Sequence, residues 1–263
     1  MDLQREQIER QFDRAAATYD SVASLQRQMA DRLLAKIPSA IDGPVVDLGC
    51  GTGDLLQKLS HRTSAINLTG VDISSAMLEQ TRLRVPEARV IKSDIASLPM
   101  EDHSFRWAVS NAAIQWCESA SMFSELRRIL QPNGQAFLST FGPSTMSQWR
   151  ETLASVSDSD SGFVSSKDRV HSFTPIEQLT SQLKAAGFAS VESETEMVDV
   201  KFDSVRTMFD SVRKLGATNA RRDRPTGLSG RKWLQRVTDA FEETKDSNGL
   251  ISLTYECYYL FVV

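Results

Sequence analysis

The sequence predicts an α/β fold in which a mostly parallel sheet carries helices on both faces. Short apolar runs alternate with helical patterns between residues 45 and 140, which is typical of βαβ units around a parallel sheet. Three glycines, Gly49, Gly51 and Gly53, directly follow the first apolar run. Polar residues end the runs, where the carboxyl ends of parallel strands form one edge of the sheet.

The N-terminal segment, residues 1–38, carries two helical patterns separated by a break near Tyr19 and Asp20. Apolar residues recur at helical spacing on each side of the break. They are Ile8, Phe12, Ala15 and Ala16 before it, and Leu25, Met29, Leu33 and Ile37 after it. We expect this segment to be a helical lid, and residues 39–263 to form a single domain.

The alternating region predicts five strands and three helices, in the order of βαβ units. Strands are expected at 45–48, 68–71, 89–92, 106–110 and 135–140, and helices at 54–60, 74–84 and 119–130. Ser74 or Ser75 is expected to cap the second helix. The turn sequence from Gln131 to Gly134 is expected to stop the third.

After Phe141 the pattern loosens, and we expect an insertion of loops and helices on the substrate side, at 143–173 and 201–249. The polar stretch 155–166 predicts a loop. Thr174 is expected to cap a helix at 175–186, with Pro175 at its first position and Gly187 past its end. The remaining expected elements are a strand at 190–200, helices at 203–215 and 229–244, and a last strand at 250–263.

Composition excludes several classes of protein. Of 263 residues, 41% are hydrophobic and 24% are charged, as in a globular domain. The apolar runs are far shorter than the roughly 18 residues of a membrane span, and the charged N-terminus is unlike a signal peptide. Three cysteines and three histidines lack the spacing of a disulfide framework or a metal site. We therefore expect a cytoplasmic protein without a metal.

The loop Gly49–Gly53 is expected to bind a ligand through its backbone. Glycine allows a sharp turn and close approach of a ligand, and the following helix points its N-terminal N–H groups at an anionic group. The spacing is G-x-G-x-G, which is out of frame with the dinucleotide fingerprint G-x-G-x-x-G, and G-K-[ST] of a phosphate-binding loop is missing. The glycines alone do not identify the ligand.

Polar residues at the strand ends indicate which kind of ligand the glycine loop binds. Asp47 lies in the first strand, and Asp72, Asp94 and Asn111 end the second, third and fourth. An acid about twenty residues beyond a glycine loop is suited to accept both ribose hydroxyls of a nucleoside. A single acid at such a place is usually a cap or a turn former, whereas four polar residues behind one glycine loop favour a nucleoside site.

This arrangement resembles the Rossmann-like S-adenosylmethionine-dependent methyltransferases over residues 40–142. The resemblance implies a seven-stranded sheet whose last strand is antiparallel. It also implies that Gly49–Gly53 faces the methionine part of the cofactor, Asp72 the ribose, and Asp94 with Ile95 the adenine. Ile73 and Met77 are candidates to flank the adenine, although Met77 also suits plain core packing.

The flanking sequences resemble the malonyl-acyl-carrier-protein O-methyltransferases, a family of biotin synthesis, over nearly the whole chain. The segments that carry this resemblance are FDRAAATYDSVASLQRQMADRLL, STFGPSTMSQWRETL, SVRKLGATNARRDRPTGLSG and LTYECYY. The implied reaction is attack of a malonyl carboxylate on the sulfonium methyl, which gives a methyl ester. A malonyl carboxylate is ionised at neutral pH, so no general base is needed.

Several side chains are candidates for substrate and cofactor contacts. Arg150 is expected to hold the malonyl carboxylate, since the arginine fork pairs with a carboxylate in bidentate fashion, although a salt-bridged surface arginine is the alternative. Tyr19 and Gln26 come from the lid, and Tyr19 is expected near the sulfonium or the methionine carboxylate. Arg14 is a second candidate for a ligand carboxylate. Trp116 is expected to wall the acceptor pocket or to be an ordinary core residue.

Between residues 201 and 236 the chain has ten Lys or Arg and three Asp, although the formal net charge of the whole chain is −4. This segment is either a solvated helical face or a docking patch for an acidic carrier protein. The docking candidates are Lys201, Arg213, Lys214, Arg221, Arg222 and Arg224.

Three alternatives stay open. One is a methyltransferase of the same core that acts on another small carboxylate or on a quinone precursor. Another is an RNA methyltransferase, which the negative net charge and the missing RNA-binding appendage disfavour. The third is a nucleoside-binding regulator with a decayed site, which the intact glycines and acids disfavour.

Overall fold

The computed structural model describes residues 3–62, 67–156, 173–214 and 228–263. The N-terminal segment forms α1 (Leu3–Ala15), a single 3-10 turn (Tyr19–Ser21) and α2 (Ser24–Lys36). The break predicted near Tyr19 is therefore confirmed. Leu25, Met29 and Leu33 of α2 are buried, as their four-residue spacing predicts.

The βαβ region follows the predicted order. Its elements are β1 (Val45–Leu48), α3 (Asp54–Ser60), β2 (Leu68–Asp72), α4 (Ser75–Arg84), β3 (Arg89–Lys92), β4 (Phe105–Asn111), α5 (Ser119–Ile129) and β5 (Leu130–Phe141). Ser74 caps α4, because its side chain accepts a hydrogen bond from the N–H of Met77. A short 3-10 helix, Ile114–Trp116, lies between β4 and α5.

Two more strands, β6 (Val191–Phe202) and β7 (Ile251–Val262), complete the sheet of the described residues, whose seven strands lie in the order β3-β2-β1-β4-β5-β7-β6. Strands β1 to β5 pair in parallel, and β7 (Ile251–Val262) pairs antiparallel with β5, with Leu138 opposite Leu260. The mostly parallel sheet with an antiparallel last strand is thus confirmed. Strands β2 and β3 follow on one side of β1, and β4 and β5 follow on the other. The direction in which strands are added therefore reverses between β1 and β4, and open α/β sheets bind ligands at such a point.

The residues from Gln131 to Gly134, predicted to be a turn that stops the third helix, lie inside β5 and not before it. The strand already begins at Leu130, which pairs with Phe105, and the next pair is Gln135 with Trp107. The register therefore shifts between Phe105 and Trp107, and residues 131–134 bulge out of the ladder. Pro132 lacks an N–H and is tolerated at such a bulge.

The second half of the chain contains α6 (Ser147–Val156), α7 (Ile176–Ala185), β6 (Val191–Phe202), α8 (Val205–Lys214) and α9 (Leu228–Glu242). The sequence analysis missed α6, although Trp149, Leu153 and Val156 have helical spacing and are buried. Of the predicted polar loop at 155–166, Ser155 and Val156 belong to α6, and residues 157–166 lie outside the described residues.

The predicted cap at Thr174 is wrong. Pro175 occupies the cap position with extended backbone, at ψ 150°, and α7 begins at Ile176. The carbonyl of Pro175 accepts the first helical hydrogen bonds, from the N–H groups of Gln178 and Leu179 at 3.1 Å each. The φ angle that the proline ring imposes is compatible with both the cap and the first helical position. Gly187 follows α7 with a φ of +100°, as predicted.

The chain divides into two compact units. Unit 1 comprises Met1–Gly142, Thr174–Glu196 and Cys257–Val263, and unit 2 comprises Pro143–Phe173 and Met197–Glu256. In unit 1, apolar side chains of the sheet pack against α5 and α7. Val46 of β1, Phe123 of α5 and Leu183 of α7 belong to this core. In unit 2, Trp149, Phe209 and Phe241 form an aromatic cluster with ring centroids 4.8 to 6.2 Å apart. The division at residue 38 expected from the sequence stays a prediction.

In the described parts of the chain, no helix combines the length and the hydropathy needed to span a membrane. Across those same residues, no group of three or more His, Cys, Asp and Glu side chains is placed to hold a metal ion.

Candidate cofactor and active site

The glycine loop leaves β1 with three residues in the left-handed region of φ. The φ angles are +79° at Gly49, +54° at Gly51 and +84° at Gly53, where side-chain-bearing residues are strained. A Cβ on Gly49 would lie 2.3 Å from the Cβ of Ala113, whereas one on Gly51 would have no atom within 4 Å. Gly49 is therefore required for packing, and the open side of Gly51 leaves room for a ligand.

Asp72 lies at the end of β2, and its carboxylate binds two backbone N–H groups. Oδ2 accepts a hydrogen bond from the N–H of Gly51 at 2.9 Å, and Oδ1 accepts one from the N–H of Ser74, also at 2.9 Å. Burial raises the pKa of Asp72, and these backbone hydrogen bonds oppose the rise. The carboxylate is thus held in a fixed orientation beside the glycine loop.

A cavity whose empty space, counted together with open solvent at its mouth, is about 750 Å³ lies at this edge of the sheet. Asp72, Asp94 and Asn111 line it from three strand ends, and α1 lines it from the other side. The other lining residues at the strand ends and the glycine loop are Gly49, Gly51, Ile73, Met77, Ser93, Ile95, Ala112 and Ala113. The structure therefore brings together most of the residues predicted to bind the cofactor.

Asp94 lies at one end of this cavity and is paired with α1. Its Oδ2 lies 2.7 Å from Nε of Arg5, and its Oδ1 accepts a hydrogen bond from the N–H of Ala96 at 2.8 Å. Ile73 and Ile95 supply apolar surface nearby in the same lining. This end combines a carboxylate with apolar walls, as a flat base with an amino group requires.

Asn111 ends β4, and its side chain is used to hold neighbouring elements. Its Nδ2 donates to the carbonyl of Gln26 in α2 at 2.9 Å, and its Oδ1 accepts from Oγ of Ser139 in β5 at 2.7 Å. The next residue, Ala112, has a φ of +52°, which is uncommon for a residue other than glycine. Asn111 therefore positions the strained turn and α2, in addition to lining the cavity.

A second cavity is also lined by the glycine loop. Tyr19, Gly49, Gly51 and Asn111 line both cavities. Among its lining residues, the buried Oδ1 of Asp47 and Oε1 of Gln26 have no hydrogen-bond partner in the described part of the structure, whereas the buried Oδ2 of Asp54 lies 2.9 Å from Nζ of Lys58.

Asp47 is 1% exposed. Burial raises its pKa well above the ordinary value, and the charges of Asp72 and Asp54 add to the rise. Buried polar atoms are normally paired, so the free oxygens of Asp47 and Gln26 point to a ligand group that donates hydrogen bonds. Gln26 was predicted to contact the substrate or carrier, and the structure places it at this cavity.

Tyr19 lies where the two cavities meet. Burial raises the pKa of its phenol, and the nearby charges of Asp72 and Asp20 raise it further. The phenol therefore stays protonated over the physiological range and is available as a hydrogen-bond donor. Trp116 lines the first cavity, and its ring packs edge-on against Phe12 of α1 at 5.4 Å between centroids.

Other predicted site residues lie elsewhere. Arg14 is exposed and lines neither of these cavities. Arg150 belongs to α6 in unit 2, where its guanidinium donates to the carbonyls of Thr145 at 2.6 Å and Pro143 at 2.7 Å. Lys214 is exposed at the end of α8. Arg221, Arg222 and Arg224 lie outside the described residues.

Sequence reasoning missed the charged face of α1. Arg5 pairs with Asp94, and Glu9 with Lys92 at 2.6 Å. Asp13 accepts hydrogen bonds from Oγ of Ser74 at 2.6 Å and the N–H of Ala76 at 3.1 Å. The three α1 residues are spaced by four and share one helix face. That spacing was the available signal.

The sheet order, the glycine loop and the acids at the ends of β2 and β3 define a Rossmann-like S-adenosylmethionine-dependent methyltransferase. The family model described as a methyltransferase domain matches residues 45–134. Among solved structures, phosphoethanolamine N-methyltransferase 2 of Haemonchus contortus, in complex with S-adenosyl-L-methionine, superimposes with a TM-score of 0.60 at 16% identity. The superposition covers 100% of this chain and 60% of the Haemonchus chain, and it shows that the two proteins share the fold.

Curated relatives are similar over nearly the whole chain. The malonyl-acyl-carrier-protein O-methyltransferase of Halorhodospira halophila is 34% identical over 98% of this chain and 87% of its own length. The biotin biosynthesis bifunctional protein BioHC of Saccharophagus degradans is 31% identical over 95% of this chain and 45% of its own length. The chain belongs to the malonyl-acyl-carrier-protein O-methyltransferase family, and it is an S-adenosylmethionine-dependent O-methyltransferase.

Proposed function

We propose that this enzyme transfers a methyl group from S-adenosylmethionine to the free carboxylate of a malonyl group on acyl carrier protein. The products are the malonyl methyl ester and S-adenosylhomocysteine, and the step serves biotin synthesis. The observation that carries the proposal is the similarity to a relative of that name over 98% of this chain. The BioHC relative supports the place in biotin synthesis by its name.

The two cavities suit the parts of the cofactor. When bound, S-adenosylmethionine supplies a methyl group on a positively charged sulfur. Asp72 is suited to accept the ribose hydroxyls, and Asp94 with Ile95 to bind the adenine at the end of the first cavity. The free oxygens of Asp47 and Gln26 suit the ammonium group of the methionine part, since a buried acceptor without a partner is costly.

The backbone of the glycine loop completes the proposed cofactor site. Gly49, Gly51 and Gly53 would lie against the methionine part, and α3 begins directly after them at Asp54. Its N-terminal N–H groups favour an anionic group such as the methionine carboxylate. Arg14 remains a proposed second partner for that carboxylate.

The acceptor carboxylate attacks the methyl carbon in line with the sulfur. The new C–O bond forms as the C–S bond breaks, and the bonding electrons go to sulfur. An ionised carboxylate needs no general base, so catalysis comes from alignment and from removal of water around the carboxylate. Arg150 is proposed to hold the carboxylate, which would require its guanidinium to leave the two backbone carbonyls that it binds in unit 2.

The N-terminal segment is proposed to act as the lid of this site. Phe12 packs on Trp116, and Arg5 pairs with Asp94, so α1 already covers part of the first cavity. Closure of a lid excludes water and commits the substrate. Trp116 is proposed to wall the acceptor side, next to the lid.

The carrier protein is proposed to dock on the basic segment between residues 201 and 236. Within its described part, Lys201 pairs with Asp246 at 2.9 Å and Arg213 with Asp210 at 3.0 Å. Because exposed pairs of this kind contribute little to stability, both cations can exchange these partners for an acidic surface. Arg221, Arg222 and Arg224 add positive charge to the same segment.

Mass spectrometry of malonyl-acyl-carrier protein, incubated with enzyme and S-adenosylmethionine, tests the proposal. We expect a mass gain of one methylene on the malonyl-phosphopantetheine group, and no gain on the acetyl-carrier protein, which lacks the free carboxylate. Equal rates with free malonate would contradict the role of the carrier protein and favour a methyltransferase of small carboxylates.

A further inference from the structure

The 3-10 turn Tyr19–Ser21 joins α1 to α2 and carries Tyr19 at its first position. Its own backbone hydrogen bonds run from the N–H of Ser21 to the carbonyl of Thr18 at 3.1 Å and from Val22 to Tyr19 at 3.0 Å. The side chain of Thr18 does not cap the turn. A single 3-10 turn is not stable alone, so contacts elsewhere in unit 1 must hold it in place.

Asp20 supplies those contacts together with Thr52 and Arg84, and we call these three side chains the clasp. Oδ1 of Asp20 accepts a hydrogen bond from Oγ1 of Thr52 at 2.7 Å. Nη2 of Arg84 donates to Oδ2 of Asp20, and Nη1 of Arg84 donates to Oγ1 of Thr52 at 3.1 Å. The arginine fork therefore bridges the other two members.

The clasp is anchored on well-packed elements. Thr52 is 4% exposed and lies between Gly51 and Gly53 in the glycine loop. Oγ1 of Thr81 in α4, one turn before Arg84, donates to the carbonyl of Gly51 at 2.8 Å. Because Thr81 and Arg84 of α4 hydrogen-bond to Gly51 and Thr52, the glycine loop is held in position and can in turn hold the 3-10 turn.

The turn is also tied to α2. Nη1 of Arg27 donates to the carbonyl of Asp20 at 2.6 Å. Burial opposes ionisation of Asp20, but the hydrogen bonds from Thr52 and Arg84 and the positive charge of Arg84 outweigh it and lower its pKa. Asp20 is therefore ionised at neutral pH and keeps its ion pair with Arg84.

The position of Tyr19 depends on the same turn. Tyr19 is the residue before Asp20, and it lines both cavities where they meet beside Gly49 and Gly51. Its phenol is protonated at neutral pH, so it has one hydrogen to donate. A shift of the turn would move the phenol relative to Gly49 and Gly51, which line the same two cavities.

We propose that Asp20 and Arg84 are positioning residues that hold Tyr19 over the bound cofactor at the glycine loop. They act through Thr52 and the 3-10 turn and do not themselves touch the reacting atoms. This inference rests on the S-adenosylmethionine dependence of the enzyme, and it is independent of which methyl acceptor the proposed function assigns.

Calorimetric titration of the full chain with S-adenosylmethionine alone tests the inference. We expect Asp20→Asn and Arg84→Gln each to raise the Kd about tenfold, as loss of one partner of a partly buried charge pair does. Arg84→Lys keeps the charge but reaches only one of the two acceptors, so its Kd should be intermediate. Arg82→Gln is the matched control, since Arg82 is exposed in the same helix turn, and its Kd should equal that of the parent.

Combination with Tyr19→Ala separates positioning from a general structural role. If the clasp acts through Tyr19, Asp20→Asn should weaken binding strongly in the parent and hardly at all in the Tyr19→Ala background. Circular dichroism melting of each variant checks that it is folded. Additive effects of the two substitutions, or an unchanged Kd in a folded Asp20→Asn variant, would overturn the proposal.

The titration contains no acceptor, so its outcome is separate from that of the methyl-transfer assay. A parent enzyme that fails to methylate malonyl-carrier protein, yet shows the expected pattern of Kd values, would contradict the proposed function and leave the clasp supported. Normal methyl transfer with Kd values that the clasp variants do not change would contradict the clasp alone.

Discussion

Arg5 and Asp94 form an ion pair that joins α1 to the end of β3, with 2.7 Å between Nε and Oδ2. The pair lies at the end of the cavity where the proposed site binds adenine. A carboxylate oxygen has two lone pairs, so Asp94 is able to accept from a base while Arg5 remains in place. The ion pair then closes α1 over the bound cofactor.

Removal of this pair should speed the release of the cofactor. We expect Arg5→Ala to raise the dissociation rate of S-adenosylmethionine several-fold, because α1 then loses its ion pair with the end of β3 and keeps its polar contacts through Glu9 and Asp13 and the packing of Phe12 on Trp116. Arg5 is half exposed, so the loss in free energy of unfolding should stay below about 1 kcal/mol. Stopped-flow fluorescence measures the rate. Arg10→Ala, which removes an exposed pair with Glu6 on the same helix, is the control and should leave the rate unchanged.

Substitutions at Gly49 and Gly51 should differ in what they impair, which is mainly stability at Gly49 and mainly cofactor binding at Gly51. Gly49→Ala places a methyl group 2.3 Å from Cβ of Ala113, so we expect a loss of about 2 kcal/mol or more in stability. Gly51→Ala meets no atom, and its left-handed φ should cost about 1–2 kcal/mol. Its methyl group would face the ligand, so cofactor binding should fall further than stability does. Thermal melting and calorimetry compare the two, and equal cofactor affinity of Gly51→Ala and the parent would exclude close approach of the ligand.

The Asp47→Asn variant should be more stable than the parent at neutral pH and should bind S-adenosylmethionine more weakly. Burial and the charges of Asp72 and Asp54 raise the pKa of Asp47 well above its ordinary value. Because the pKa of Asp47 is higher in the folded state than in the unfolded chain, the fold favours the protonated carboxyl, and this contribution to stability is fully present below the unfolded-state pKa. Stability is then lost as the pH rises from the unfolded-state pKa towards the folded-state value. Asp47→Asn should therefore raise the Tm at neutral pH without ligand, and the advantage should vanish in acid.

The same variant should bind S-adenosylmethionine more weakly, since the amide has no charge for the ammonium group. Calorimetry at neutral pH measures this, and melting between acid and neutral pH follows the stability. Asp42→Asn, an exposed acid just before β1, is the control and should change neither quantity. A Tm of Asp47→Asn below that of the parent at neutral pH would contradict the assignment of a strained, unpartnered carboxylate.

Charge reversal in the basic segment tests the docking of the carrier protein. We expect replacement of Arg221, Arg222 and Arg224 by glutamate to raise the KM for malonyl-carrier protein, because complementary charge steers association. The kcat should change little, and rising salt should weaken the parent more than the variant. Steady-state kinetics with the carrier conjugate and with malonyl-coenzyme A give the comparison. Unchanged KM and salt dependence would remove the docking surface.

Local sequence patterns are enough to predict the order of strands and helices along the chain between residues 45 and 140, and the edge of the sheet at which the site lies. Apolar runs at 45–48, 68–71 and 89–92 are short and alternate with helical patterns, which is typical of parallel βαβ units. Asp72 and Asp94 then had to lie at strand ends beside the glycine loop. Local patterns determine these features, because strand, turn and cap depend on residues near each other in the chain.

The partners of Asp13, Asp20 and Asp94 follow only from the folded structure. The pairs Arg5–Asp94, Asp13–Ser74 and Asp20–Arg84 join residues separated by 61 to 89 positions, and no local pattern specifies such partners. Tertiary structure also placed the guanidinium of Arg150 on the carbonyls of Pro143 and Thr145, just before α6, and brought the residues from Gln131 to Gly134 into β5. In each case the outcome depends on what packs against the element, since ion pairs, bulges and unpartnered buried oxygens follow from proximity in space.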